Sequence, residues 1–260
     1  MGMALPVGGG IGGLVLLLLF SALTGTNPLD LISTQQEPSS VGTTGVRDND
    51  PQAKFVSVVL RDTEDTWGEI FRRRGDSYQP PTLVLFTQAT QTGCGNASAE
   101  VGPFYCPADQ EIYFELGFLD QLQAQFGAEG EFAQAYIAAH EFGHHLQTLL
   151  GTERQVRAAQ QRDPDNANDY SVALELQADC YAGVWSKLAD QRSQGGIALT
   201  QDNIAEAVNA AEAVGDDRIL KRTQGRVDPE SWTHGSAEQR RDWFLKGAQS
   251  GNMDACNTFR

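Results

Sequence analysis

Hydrophobic residues recur along most of the chain at the three- and four-residue spacing of α-helices, and only short stretches show the pattern of strands. This spacing predicts helices over four segments, 53–74, 132–150, 171–185 and 200–214. Gly151 is placed to end the second of these helices in a left-handed conformation. A last helix is predicted to begin after Ser236, because Ser236 and Gln239 fit a capping box.

Strands are predicted in a smaller part of the chain. The apolar run 82–86 favours one strand, and the runs 104–106 and 112–114 flank the turn sequence 107–110 and favour a β-hairpin. Residues 152–170 are polar and charged and favour a loop or lid between two helices. These elements predict an α+β fold, in which a small antiparallel sheet packs on a mainly helical body.

The N-terminal segment differs in composition from the rest of the chain. Residues 5–24 carry no charge, and about twenty uncharged residues can span a bilayer. The strongly apolar part, 11–23, is also short enough for a signal peptide, but no A-x-A cleavage site follows it. We expect an uncleaved signal anchor in residues 1–24, with a cleaved signal peptide as the alternative.

Residues 25–50 are mainly small and polar, which is typical of a flexible linker. The folded domain is therefore expected to span 51–260. Because the N-terminal segment would direct export, this domain is predicted to lie in the cell envelope outside the cytoplasm. It would be anchored to the membrane by a single span, or secreted if that span is cleaved. The net charge of −15, with no basic patch, argues against nucleic acid as a partner.

An HExxH motif supplies the first candidate chemistry. His140 and His144 are four residues apart in a predicted helix, so both side chains point to one face and can hold one metal ion. Glu141 can reach a water on that metal without coordinating it. Gly143 costs about 1 kcal/mol of helix propensity, which is explained if another backbone approaches closely there. The alternative to a metal site is a buried helix that happens to carry histidines. His145 lies on another face of the helix and is interpreted as a surface or packing residue.

A third metal ligand is expected from the predicted helix over 171–185. A catalytic zinc site has three protein ligands and one open position. Glu175 and Asp179 share a face of this largely apolar helix, where two acids would be costly to bury without a positive partner. We assign Glu175 to the metal and expect Asp179 to accept the other ring N–H of one ligand histidine. A solvated acidic edge on an ordinary helix is the alternative.

These motifs resemble those of a known family. The HExxH motif followed by Glu175 and Asp179 is similar to the gluzincin arrangement of zinc peptidases. Together with the blocks 101–109 and 233–236, it resembles the bacterial family described as predicted neutral zinc metallopeptidases. The resemblance implies a zincin-like domain, Zn²⁺ as the cofactor and a peptide or protein substrate. It also implies that an edge strand near 102–104 pairs with extended substrate; the alternative is that these residues are only part of the sheet.

His234 precedes the predicted last helix and is the only histidine outside the segment 140–145. A similar histidine, with a following arginine, occurs in related membrane-linked zinc peptidases. The resemblance therefore implies that His234 donates a hydrogen bond to the oxyanion formed during hydrolysis. A packing role for this histidine is the alternative.

The four cysteines favour disulfides in an exported protein. Pairing of Cys94 with Cys106 would brace the hairpin loop, and pairing of Cys180 with Cys256 would tie the C-terminal tail to the helix of Glu175. A zinc–thiolate cluster is disfavoured because the chain has no C-x-x-C pair.

Two functions follow from this reading. The first is a zinc peptidase with Glu141 as general base. The second is a catalytically silent envelope protein that keeps the zinc fold and binds other proteins. A hydrolase that uses the same motif on a non-peptide amide is a weaker third option.

Overall fold

The fold is built around one long, buried helix. A computed structural model describes residues 50–118, 124, 130–193, 200–224 and 229–259. In chain order, its strands and its helices of nine or more residues are α1 (Pro51–Arg74), β1 (Thr82–Phe86), β2 (Ala89–Thr92), β3 (Gly95–Ser98), β4 (Phe104–Cys106), β5 (Glu111–Glu115), α2 (Glu131–Leu149), α3 (Thr152–Arg162), α4 (Ala167–Ser193), α5 (Gln201–Ala213), α6 (Asp216–Gln224) and α7 (Ala237–Ser250).

Local sequence signals set the ends of several helices. The Asp50 side chain accepts hydrogen bonds from the first backbone N–H groups of α1, and Pro51 occupies the first turn, where its missing N–H has no consequence. Gly151 follows α2 with φ 72°, the left-handed conformation predicted for it. The capping box of Ser236 and Gln239 is present at the start of α7. The ends predicted from Gly151 and from Ser236 are confirmed, whereas α1 begins two residues before its predicted start at 53.

The sheet differs in one respect from the prediction. Strand β5 is central, pairing with β4 as the predicted antiparallel hairpin and with β1 in parallel. The mainly helical α+β class is confirmed, but the three-stranded sheet is mixed rather than antiparallel. The long connection from β1 to β5 allows both strands to run in the same direction. Strands β2 and β3 form a separate antiparallel pair, which their short, polar sequences did not reveal.

The predicted loop or lid over 152–170 is wrong. Residues Thr152–Arg162 form α3, a 3₁₀ turn follows, and α4 begins at Ala167. Val156 is the buried residue of α3, so the helix has almost no apolar face from which to predict it. Glu153 and Arg157 form an ion pair one turn apart, which supports a polar helix on the surface.

Helix α4 is the centre of the helical body. All residues from 174 to 186 are buried, and α2 and α7 cross this stretch at very short range. A methyl group on Gly143 of α2 would lie 2.9 Å from the Ala178 Cα atom, which is the close approach that its position in the motif suggested. On the other side, a methyl group on Gly183 would lie 2.1 Å from the Phe244 carbonyl oxygen. Small residues therefore determine how closely three helices pack.

Both expected disulfides are present. Cys94–Cys106 joins the β2–β3 turn to the end of β4, and Cys180–Cys256 joins the middle of α4 to the C-terminal segment. The Gln177 side chain also donates to the Cys256 carbonyl oxygen at 3.0 Å. The C-terminal segment is thus fixed to the helix that carries Glu175 and Asp179.

The predictions for 1–24 and for 25–50 fall outside the described residues except at Asp50, and the assignment of 51–260 as one domain stays a prediction. In the parts of the chain that the structure describes, no helix combines the length and apolar character that a membrane span requires.

We expect Gly247→Ala to destabilise the fold, because its methyl group would lie 2.0 Å from the Cys180 carbonyl oxygen. Overpacking costs about 1–3 kcal/mol, so thermal unfolding of the full chain should show a lowered Tm. Gly68→Ala in α1 is the matched control, since its methyl group would make an ordinary 3.4 Å contact with the Tyr78 ring. The control should keep or raise the Tm because Ala favours helix. Equal Tm values for the two variants would contradict the close α4–α7 crossing.

Candidate metal centre

His140, His144 and Glu175 converge on one point. One ligand atom from each residue lies within 4.8 Å of the others. The Glu175 carboxylate sits between the two rings, 3.2 Å from His140 Nε2 and 3.5 Å from His144 Nε2. Ligand atoms about 2.1 Å from a tetrahedral zinc ion lie about 3.4 Å from one another. Two imidazole nitrogens and one carboxylate at this separation fit a catalytic zinc ion.

The second nitrogen of each ring is held by another side chain. His140 Nδ1 lies 2.8 Å from Asp179 Oδ1, which is the contact expected for Asp179. His144 Nδ1 lies 2.9 Å from Gln147 Oε1. Both partners are acceptors, so each Nδ1 carries a proton and each Nε2 is the ring nitrogen that a metal can bind. Gln147 is itself fixed, because its Nε2 donates to the Leu174 carbonyl oxygen at 2.7 Å.

Arg240 from α7 neutralises the carboxylate that orients His140. Its Nε atom lies 2.8 Å from Asp179 Oδ2 and its Nη2 atom 2.9 Å from Asp179 Oδ1, in a bidentate pair. Tyr136 also donates a hydrogen bond to Asp179. Both Asp179 and Arg240 are buried, and buried charges need such pairing to be tolerated. Sequence reasoning gave Arg240 no role, since it lies 61 positions from Asp179 and no local pattern connects them.

The charges of the site are strongly coupled. Burial alone would raise the pKa of Glu175, but His144 and His140, and to a smaller extent His234, hold it well below its usual range. Arg240 and His140 likewise outweigh burial and lower the pKa of Asp179. Burial lowers the pKa of His140, whereas Asp179 and Glu175 raise it, to about 9 overall. Without a metal the site therefore favours a positive charge between the two carboxylates, and a zinc ion would replace the proton of His140.

Glu141 lies next to the three converging residues. Its carboxyl group is buried, and burial raises its pKa although His140 and His144 act in the opposite direction. It also accepts a hydrogen bond from the backbone of Tyr105, in the edge strand β4. A carboxyl group held in this place can exchange a proton with a water molecule or an amine at the centre.

The loop before α7 brings His234 to the same region. His234 Nδ1 lies 2.9 Å from Asp216 Oδ1, and Asp216 Oδ2 accepts the backbone N–H groups of Thr233, His234 and Gly235. His234 Nε2 is buried and has no hydrogen-bond partner within the described part of the protein. Asp216 thus fixes the loop and the ring together. Sequence reasoning did not find Asp216, which is 18 positions from His234 and begins a short polar helix.

His145 belongs to the packing rather than to the surface. Its side chain is fully buried; Nε2 lies 2.7 Å from the Gln79 carbonyl oxygen and Nδ1 lies 3.3 Å from the Tyr105 hydroxyl. Burial lowers its pKa, so the neutral ring donates to Gln79 and accepts from Tyr105. His145 thereby ties helix α2 to the sheet edge beside the metal centre.

The family model described as "Putative neutral zinc metallopeptidase" matches residues 1–259. The chain belongs to this family. Membership confirms the family suggested by the motifs and confirms zinc as the cofactor, with His140, His144 and Glu175 as the group that can hold it.

Proteins of two bacteria are similar to this chain. The protein named "Uncharacterized protein YpfJ" of Escherichia coli K12 is 46% identical over 254 residues, covering 96% of this chain and 87% of that protein. "Uncharacterized protein Rv2575" of Mycobacterium tuberculosis H37Rv is 44% identical over 213 residues, covering 79% of this chain and 71% of that protein. No solved structure gives a significant match. These names assign no reaction, so the activity has to be argued from the site.

We expect Asp179→Asn to weaken zinc binding by about 10- to 100-fold, as loss of a carboxylate partner of a ligand histidine typically does. The amide cannot carry the charge that orients the His140 ring and pairs with Arg240. Competition with a chromophoric chelator would measure the affinity of the purified full chain. Asp242→Asn removes an exposed carboxylate from α7 and should leave the affinity unchanged. Equal affinities for wild type and Asp179→Asn would show that Asp179 does not support the metal.

Proposed function

We propose that the chain is a zinc-dependent peptidase that hydrolyses peptide bonds, with Glu141 as the general base. The observation that carries the proposal is the convergence of His140 Nε2, His144 Nε2 and the Glu175 carboxylate, with the Glu141 carboxyl group beside them. Membership of a zinc metallopeptidase family supports the same reaction class.

Glu141 would move the proton in this reaction. Zinc held by His140, His144 and Glu175 would supply a Lewis acid for the scissile carbonyl and lower the pKa of water. Glu141 takes the proton of the water that attacks the carbonyl carbon. It then gives that proton to the nitrogen of the leaving amine, so one carboxyl group acts first as base and then as acid. Because the Glu141 side chain is buried, the proton that it carries is shielded from bulk water.

His234 would stabilise the negative charge that develops on the carbonyl oxygen. Its Nδ1 is engaged by Asp216, and its Nε2 has no partner among the described residues. Nδ1 faces a carboxylate and so carries a proton, which means that Nε2 donates when both ring nitrogens are protonated. This N–H can then donate to the oxygen in the transition state, where a preorganised donor is most effective. Asp216 acts through His234 and is therefore a positioning residue.

The substrate would bind as an extended strand along β4. Among the described strands, β4 pairs only with β5, so it forms an edge of the sheet. The same strand contributes Tyr105, whose backbone contacts Glu141. A peptide added to this edge would pass the metal centre, with backbone hydrogen bonds giving affinity and side-chain pockets giving selectivity.

We further propose that the enzyme works in the cell envelope. The support is the uncharged segment 5–24 followed by a polar linker, together with two disulfides, which are typical of exported proteins. The segment would anchor the domain to the membrane if it is retained.

We expect Glu141→Gln to lower kcat by about 10²–10⁴-fold, the contribution typical of a general base, while zinc content stays unchanged. Cleavage of a quenched-fluorescence peptide library by the full chain would measure this, and a chelator should abolish wild-type cleavage. Glu131→Gln, at the exposed start of α2, is the matched control and should retain full activity. Wild-type cleavage rates in Glu141→Gln would exclude the mechanism. Absence of any cleavage by the zinc-loaded wild type would favour a silent binding protein instead.

We expect His234→Ala to lower kcat by about 10²–10³-fold with little change in KM, as loss of an oxyanion donor does. Asp216→Asn should lower kcat in the same direction, because the ring of His234 is no longer fixed by a carboxylate. Asp217→Asn is the control: Asp217 accepts from the Ala237 backbone at 2.7 Å and does not touch His234. Zinc content and Tm of each variant would separate a catalytic loss from unfolding. Unchanged kcat in His234→Ala would assign His234 to packing.

A further inference from the structure

A small cavity lies beside the metal centre, between the sheet edge and helices α2 and α4. Its volume is ≈ 30 Å³, which is room for about two water molecules. His144 and Glu175 form its wall on the side of the metal centre, and Tyr105, Pro107 and Leu174 form an apolar wall. In the proposed reaction, a substrate side chain in this cavity would belong to a residue adjoining the scissile bond.

The polar groups that line the cavity already have partners. The Gln147 amide makes the metal-centre contacts described above. Glu153 accepts from Arg157 Nε at 2.8 Å, and Ser171 Oγ accepts from Gln160 Nε2 at 3.0 Å. A polar substrate side chain would have to share or displace these contacts to replace its hydrogen bonds to water, which makes its entry less favourable than that of an apolar side chain.

Charge and size exclude further classes of side chain. An acidic side chain would meet the carboxylates of Glu153 and Glu175 at close range. A lysine or arginine would find the Glu153 charge already paired with Arg157, and its long side chain exceeds the available volume. An aromatic ring exceeds the available volume. What remains is a small apolar side chain.

We propose that this cavity selects peptides with a small apolar residue, of the size of alanine or valine, next to the scissile bond, and that Leu174 sets the size limit. The inference rests on the proposed peptidase function and names the substrate class of that site. Leu174 precedes the candidate ligand Glu175 in α4, is buried, and is the aliphatic side chain of the wall. Because α4 is packed on several sides, the wall cannot retreat to admit a larger group.

The test is a set of quenched-fluorescence peptides in which only the two residues flanking the cleaved bond vary. For the zinc-loaded full chain we expect kcat/KM to be highest with alanine or valine at one of these positions. Phenylalanine, lysine and aspartate at that position should lower it by about 10-fold or more, the discrimination that a fitted apolar pocket gives.

Leu174→Ala should raise kcat/KM for peptides with leucine or phenylalanine relative to alanine peptides by about 10-fold. Leu174→Val should shift the preference in the same direction by a smaller factor. This milder change keeps the test decisive if Leu174→Ala does not fold. Leu188→Ala, the same change farther along α4 and outside the cavity, should leave the preference unchanged. Cleavage by wild type without size preference, or an unchanged preference in both Leu174 variants, would overturn the inference while leaving the peptidase function intact. If the zinc-loaded wild type cleaves no peptide, the function fails and the inference with it.

Discussion

The metal centre depends on the buried carboxylate of Asp179. It contacts His140 and Tyr136 from α2 and Arg240 from α7, so one side chain of α4 connects three helices. Without Arg240, the carboxylate would be a buried charge supported only by a histidine and a tyrosine hydroxyl, and its desolvation would oppose folding. With Arg240 in place, the carboxylate stays ionised and fixes the ring that faces Glu175. The same interaction therefore stabilises the contact between the helices and orients the metal ligand His140.

The helix crossings provide the distances that this interaction requires. Gly143 lets α2 approach the backbone of Ala178, and Gly183 and Gly247 let α7 approach the other side of α4. Larger residues at these crossings would push the helices apart. Since the hydrogen bonds of Asp179 are 2.8–2.9 Å long to His140 and Arg240, they tolerate little displacement. Close packing, usually regarded as a source of stability, here also sets the geometry of the site.

The features that could be predicted from the sequence are those that depend on the spacing of residues within one helix. The four-residue spacing of His140 and His144, and that of Glu175 and Asp179, placed each pair on one helical face, and the caps located several helix ends. Contacts between distant segments left no such pattern: Arg240 meets Asp179 and Asp216 meets His234 only in the folded chain. Helix α3 was missed for a different reason, because a surface helix with one buried residue carries too few apolar side chains to be distinguished from a polar loop.

The position of Arg240 on a different helix from the metal ligands has a consequence for partial unfolding. If α7 detaches, His140, His144 and Glu175 stay on α2 and α4, but Asp179 loses the guanidinium that neutralises it. The carboxylate then no longer holds the His140 ring in one orientation. Weakened metal binding would therefore report a local opening of α7 in a protein whose other helices are still folded.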